Sequence, residues 1–354
     1  MRRIVRLIVL LVVGSFGMVP GMLRAQQWNL IATFSSPVST VYFLDAFGAP
    51  DTGFVGCASV GGTVGVYRTT DGGTTWRPCL NTNGLIIRDF TFKDADTGWA
   101  VASNTPIVIE TTNGGASWTQ LTTPNAGTTL RYAAQTNTLF LSYPAGGDAQ
   151  ESTDDGQTWS QVSVPSVNGL AFAGGVSGVW SSHGLFPIYY TPNGGQNWLP
   201  SDLTHHIFSP TSLGTAGTPG QQGFFGASEF DDSCYLSTDG GARWTYRGSF
   251  TGPALSYSGT AGCVQYYNGN LWTQSVSEGM FLSRDTGLTW IPLCGPSGEV
   301  DSRFYARGNT VFAASGIWLY KDPNGTIPPA PASLSCAPDT FSISAPRCGS
   351  GSML

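Results

Sequence analysis

Beyond residue 26 the chain alternates short apolar runs with turn residues, and no helical period appears. "LIIRDFTF", "TGWAVAS", "PIVIETT" and "SWTQLTT" follow one another between Leu85 and Thr123. Each is rich in β-branched and aromatic residues and bounded by Gly, Asp, Asn or Pro, the signature of a strand. Four such runs in succession predict a four-stranded antiparallel sheet. The unit then repeats.

A turn motif marks the period. It occurs as "TTDGGTTW" (69–76), "TTNGGASW" (111–118), "STDDGQTW" (152–159), "TPNGGQNW" (191–198), "STDGGARW" (237–244) and "SRDTGLTW" (283–290). The shared pattern is Ser/Thr-x-Asp/Asn-x-Gly-x-x-Trp, with tryptophans 39 to 46 residues apart. That spacing suits one propeller blade per repeat. The Asp or Asn (Asp71, Asn113, Asp154, Asn193, Asp239, Asp285) can accept hydrogen bonds from backbone N–H groups further along a tight turn. The following Gly permits a positive φ. The Trp (Trp76, Trp118, Trp159, Trp198, Trp244, Trp290) opens the next strand with a large ring to bury. The motif is therefore expected to be the hairpin between the third and fourth strands of each blade. A calcium-loop reading fails because each copy offers one carboxylate, and two copies offer only Asn113 or Asn193. Six copies spread around a ring cannot converge on one substrate, which excludes a shared catalytic role.

The blade count follows from an asymmetry. The chain past residue 26 opens with "WNLIATF" (28–34), an outer strand without its turn, and its last repeat offers "RFYARGN", "TVFAAS" and "GIWLYKDPNG" without a following Trp. Joining the two gives an all-β, seven-bladed β-propeller of four-stranded antiparallel blades over residues 26–325. Its last blade is closed by the N-terminal strand, leaving no long open edge.

The turn motif resembles the Asp-box, or BNR repeat, of bacterial sialidases, sortilin-type receptors, xyloglucanases and the photosystem II assembly-factor family. The resemblance spans roughly Trp28 to Gly325, and "DADTGWAVAS" (94–103) is especially similar to the assembly-factor family. It implies the propeller fold but no single function, because the families that share it do unrelated things. Sialidases add an Arg-Ile-Pro motif on an early strand; here the first blade reads "PVSTVYFLD". Xyloglucanases pair two propellers across a cleft, and this chain has room for one.

Charge narrows the classes. Only 11% of residues are charged, net charge is −6, and the only lysines are Lys93 and Lys321, so no basic nucleic-acid footprint exists. Arg2, Arg3 and Arg6 before an apolar Leu7–Val19 and a cut after Ala25 predict a signal peptide over 1–25. The expected location is secreted or periplasmic, with no membrane span after cleavage. A Pro-rich linker, "TIPPAPAS" (326–333), precedes residues 334–354, which read either as a tail or as the truncated start of an immunoglobulin-like module. The seven cysteines show no metal-ligand spacing; Cys336 and Cys348 are the best candidates for a disulfide. No metal or cofactor is expected.

Candidate chemistry lies at the channel. Three expected inner strands carry arginine, Arg88, Arg131 and Arg303, with Arg307 further along the last. Converging guanidinium groups would suit carboxylates or phosphates. Alternation complicates this: Arg88 lies four residues before Phe92, whereas Arg131 and Arg303 lie three before their apparent equivalents. The His205–His206 pair has poor geometry for one metal. Glu229, Asp231 and Asp232 form an acidic cluster that reads as solvated rather than as a glycosidase pair. The expected function is a non-enzymatic, exported module binding a protein or surface glycan, with a divergent glycoside hydrolase as the alternative.

Overall fold

A computed structural model describes residues 28–58, 64–103, 105–143, 149–162, 167–173, 176–182, 188–203, 208–212, 223–227, 233–249, 264–267, 269–275, 279–294, 304–307 and 310–322. The expected signal peptide, linker and tail lie outside these residues, as do Cys336, Cys348, the three histidines, Glu229, Asp231, Asp232 and Arg303.

The described chain forms seven four-stranded antiparallel sheets. Six are consecutive meanders, such as Ile86–Phe92, Gly98–Ser103, Ile107–Thr111 and Thr119–Thr122 in the second blade. The first strands of successive blades touch one another all the way round, the last (Phe304–Arg307) meeting the first (Val38–Leu44), so these strands line the axis of a closed ring. In the seventh blade Asn29–Thr33 supplies the outer strand, pairing antiparallel with Trp318–Lys321. Two backbone bonds continue this closure, Phe34 N to Ile317 O at 2.9 Å and Val38 N to Gly316 O at 2.8 Å.

The core is not one body but seven slabs, each trapped between two adjacent blades. Each slab holds one tryptophan of the set 28, 76, 118, 159, 198, 244 and 290. Trp28 has no turn of its own, yet it packs between the sixth and seventh blades beside Trp272, Leu293 and Phe304. Sheets covered on both faces lose the polar alternation of a half-exposed sheet. Gly98–Ser103 and Thr138–Ser142 are accordingly buried at every position.

The repeat turn joins the third and fourth strands and is held by side chains near in sequence. In the first copy Asp71 Oδ1 accepts from Thr69 Oγ1 and from Thr75 N, both at 2.8 Å, and Oδ2 accepts from Thr75 Oγ1 at 2.6 Å. Thr69 Oγ1 in turn accepts from Gly73 N at 3.0 Å. Asn113 reproduces the pattern, its Oδ1 accepting from Thr111 Oγ1 and Ser117 N, while its Nδ2 donates to Ser117 Oγ at 2.8 Å. Trp76, Trp159 and Trp244 each donate their indole N–H to the carbonyl of the turn's second glycine.

That glycine receives the preceding blade. Gly195 has φ +90°, and a β-carbon there would lie 2.2 Å from the Phe140 ring, which projects from the second strand of the blade before. Gly115 stands in the same relation to Phe54. In the third copy Asp155, at φ 59°, replaces the first glycine, and its carbonyl accepts from the indole of fully buried Trp99 at 3.1 Å. The turn is thus both a hairpin and the socket for its neighbour.

Two outcomes are expected from this architecture. Phe34→Ala removes a buried ring from the slab between blades seven and one, and should destabilise the ring by about 3 kcal/mol. Deleting residues 28–34 should lower the thermal midpoint further, as measured by circular dichroism. An unchanged midpoint would show that the N-terminal strand does not clasp the ring.

The second outcome concerns acid. Hydrogen bonds from the Thr75 hydroxyl and amide hold the Asp71 carboxyl down to about 2, and those from Thr158 do the same for Asp154. Folded values lie below the unfolded value of about 3.9, so this stabilisation is complete above about pH 4 and lost as pH falls toward 2. D71N/D154N, which copies the natural Asn113 and Asn193 turns, should fold at neutral pH and lose less stability over that window. Parallel urea midpoints at pH 7, 4, 3 and 2 would decide it.

Candidate functional site

The half-exposed residues of the described inner strands are Tyr42, Ile86, Arg88, Arg131, Tyr132, Phe172, Gln265, Tyr266 and Tyr305. Four tyrosines and two arginines stand among the nine, and each tyrosine also packs against the slab between two blades. Tyr42 stacks on Phe92, with ring centroids 5.5 Å apart, and lies 5.8 Å from Tyr305 across the closing seam. Tyr132 stacks on Trp99 and carries the Lys93 ammonium over its ring at 5.8 Å.

Polar groups stitch the inner strands together. The Tyr305 hydroxyl lies 2.6 Å from Asp45 Oδ1 and 3.1 Å from the Phe43 carbonyl, joining blade seven to blade one. Ser39 Oγ donates to the Ile87 carbonyl of blade two. Gln265 donates to the Phe304 carbonyl at 2.6 Å and accepts from Ala306 N at 3.0 Å, joining blades six and seven.

Between blades two and three the stitch is ionic. Asp89, buried, accepts from Phe90 N at 3.0 Å through one oxygen. Its other oxygen accepts from Leu130 N at 3.2 Å and pairs with Arg131 Nη1. Arg131 Nη1 also donates to the Leu130 carbonyl at 2.7 Å. The guanidinium therefore serves the seam as a counter-ion.

Arg88 is placed differently. The pairing register slips between Ile87 and Asp89, so Arg88 occupies a β-bulge. The next residue, Asp89, and not Arg88, is the one that reaches Arg131. Arg88 is half-buried, with its Nε enclosed. The side chain of Arg307 lies outside the described residues, as does Arg303. Arg88 and Arg131 are thus on neighbouring inner strands but in unequal settings.

Electrostatics follow the geometry. Burial pushes the Tyr42 hydroxyl above its ordinary range, opposed by Arg131 and reinforced by Asp45 and Asp89. Burial also raises Tyr132, with Lys93 opposing and Asp155 and Asp94 adding. Lys93 Nζ pairs with Asp155 at 3.2 Å in the neighbouring turn. Among the described residues no three His, Cys, Asp or Glu gather as metal ligands, and no helix is long and apolar enough to cross a membrane.

The inner-strand tyrosines carry no charge and do not stand out among the charged candidates in the sequence. Their signal was nonetheless present: "VYFLD", "RYAAQ", "QYYNG" and "RFYARG" each place tyrosine in an expected first strand.

No family model and no curated protein matches the chain. Solved structures do. A structure described as YCF48 bound to D1 peptide is 19% identical, covering 84% of this chain and 97% of its own, with a TM-score of 0.56. YCF48 from Cyanidioschyzon merolae is 14% identical over 83% and 97%, with a TM-score of 0.60. The GH74 xyloglucanase from Xanthomonas campestris is 15% identical over 85% of this chain and 54% of its own, with a TM-score of 0.62. These likenesses establish a seven-bladed propeller class; at such identities they speak for the fold alone.

One prediction tests the ionic seam. Asp89→Ala leaves Leu130 N and Arg131 without their acceptor, and should cost about 2 kcal/mol, read as a lowered urea midpoint. Asp89→Ala/Arg131→Leu should recover part of that loss, because an uncompensated half-buried charge is removed with it. No recovery would mean that Arg131 does not depend on Asp89.

Proposed function

We propose that this chain is an exported, non-enzymatic β-propeller that binds a protein segment through its inner-strand face. The observation that carries the reading is the tyrosine- and arginine-rich character of that face, Tyr42, Arg88, Arg131, Tyr132, Tyr266 and Tyr305. Tyrosine and arginine offer large contact area, hydrogen bonding and low ordering cost, and they dominate the energetics of protein interfaces. The fold likeness to a YCF48 propeller bound to a peptide supports the same direction. The six turns are read as Asp-boxes on their motif, and the N-terminal "RRIVRLIVLLVVG" supports export. Arg88 is the described candidate for a partner carboxylate, with Arg303 and Arg307 proposed beside it; Arg131 contributes mainly by shaping the seam. A surface glycan remains the competing ligand, and hydrolysis the competing activity.

The test is a screen of the mature chain, beginning at Gln26, against an array of extended peptides, with sialosides and xyloglucan as parallel substrates. The expected result is peptide binding that weakens about tenfold or more in Arg88→Ala and Tyr266→Ala, the loss typical of an interface anchor. Sugar release from either glycan, with no peptide bound, would overturn the reading.

A further inference from the structure

A second site lies away from the axis, in the cleft between the first and second blades at the level of their repeat turns. It is a groove of about 560 Å³ lined by Arg68, Thr70, Asp71, Thr75, Arg77, Pro78, Cys79, Gly115 and Ala116. Arg68 is the last residue but one of the third strand of blade one (Val64–Thr69), and Arg77 opens the fourth (Arg77–Asn81). They are direct cross-strand partners across the turn. Like charges directly opposed weaken a sheet, so this pair works against the hairpin that holds it.

The corresponding pairs elsewhere carry no such conflict. They are Glu110 with Thr119, Glu151 with Ser160, Tyr190 with Leu199, Leu236 with Thr245 and Leu282 with Ile291. Among the described cross-strand pairs only blade one opposes two cations.

Among the described residues neither arginine makes an ion pair within 4 Å. Arg68 Nε is buried and has no hydrogen-bond acceptor there. Its Nη2 reaches over the second turn, 3.6 Å from where a β-carbon on Gly114 would stand, a point 3.8 Å from Asp96 Oδ1, so one acid of blade two lies nearby. Asp71 lies in the same lining, but its two oxygens accept from Thr69, Thr75 N and the Thr75 hydroxyl within its own turn.

The groove has a local origin. Three residues beyond its tryptophan, blade five carries Arg247, which reaches the next turn and donates to the carbonyls of Thr286 and Asp285 at 3.3 and 2.9 Å. The same place in blade one is Cys79, too short to cross the cleft. Its thiol donates to the Val66 carbonyl at 3.4 Å instead, leaving the space open.

We propose that this groove is a carboxylate site, in which Arg68 and Arg77 together grip one monoanionic carboxylate. Two guanidinium forks supply the planar paired donors that a carboxylate accepts. In the lining Arg68, Arg77 and Asp71 sum to a single positive charge, and Asp96 near Arg68 lowers it further, so a monoanion is favoured over a dianionic phosphate. The carboxylate can come from a peptide terminus or from an acidic sugar; the recognition chemistry is shared. The site is separate from the inner-strand face and stands or falls independently of it.

Cys79 is a built-in reporter, half-buried in the lining. The test is its alkylation by neutral iodoacetamide, followed by mass spectrometry of the Cys79 peptide. Acetate, N-acetylglycine, glucuronate or inorganic phosphate is added against sodium chloride at constant ionic strength. Acetate should slow the reaction about twofold at its Kd by simple occupancy. Phosphate should protect less, and R68Q/R77Q should abolish protection by acetate. Stronger protection by N-acetylglycine than by glucuronate assigns a peptide source, and the reverse a sugar acid; both support the site. Exposed Arg77→Gln alone, whose fold is checked by near-ultraviolet circular dichroism, should already weaken protection. No protection by any carboxylate, phosphate protecting at least as well as acetate, or equal protection in the folded variants would overturn the proposal.

Discussion

The ring depends on one packing constraint: each sheet buries both faces against its neighbours, and the gap must be filled by rings fitted into glycine sockets. Phe54 against Gly115, Phe140 against Gly195 and Phe225 against Gly287 are the same joint repeated. A tryptophan completes each slab. Protein interiors pack like organic crystals, so a knob of this size fixes the distance and angle between blades. The turn motif thus performs two tasks with one set of residues. Its Asp or Asn closes the hairpin, and its glycine admits the neighbour.

Closure is the second consequence. A propeller left open would present a bare edge and an unfilled slab. Asn29–Thr33 covers the edge of the last blade, and Trp28 fills the slab between blades six and seven. Phe34 then enters the next slab beside Phe43 and Phe312. One short segment therefore contributes to two of the seven interfaces, although it lies at the opposite end of the described chain from the blade it completes.

Near the axis the inner strands converge, and polar stitches join them from blade to blade. This divides the arginines by role. Arg131 is held by Asp89 and belongs to the seam, whereas Arg68 and Arg77 face each other over an open groove. Charge count alone does not distinguish them. The propeller fold is shared by proteins of differing function, so each of these sites has to be argued from its own residues.

The turns, the strand alternation, the seven blades and the N-terminal closure were legible in the chain. They rest on contacts local in sequence, such as Asp71 with Thr75, and on an even tryptophan spacing that any ring must respect. The channel was legible only in part. Arg88 and Arg131 lie on inner strands, but their settings are decided by a bulge at Arg88 and by Asp89, which meets a residue 42 positions away. The tyrosine face and the groove beside Cys79 likewise exist because separate blades meet there. Sequence determines what a hairpin does with its own residues, because a turn closes over a few positions. Which charges are neutralised between blades depends on the register of strands that touch only after the ring has closed, and the tertiary structure alone sets that register.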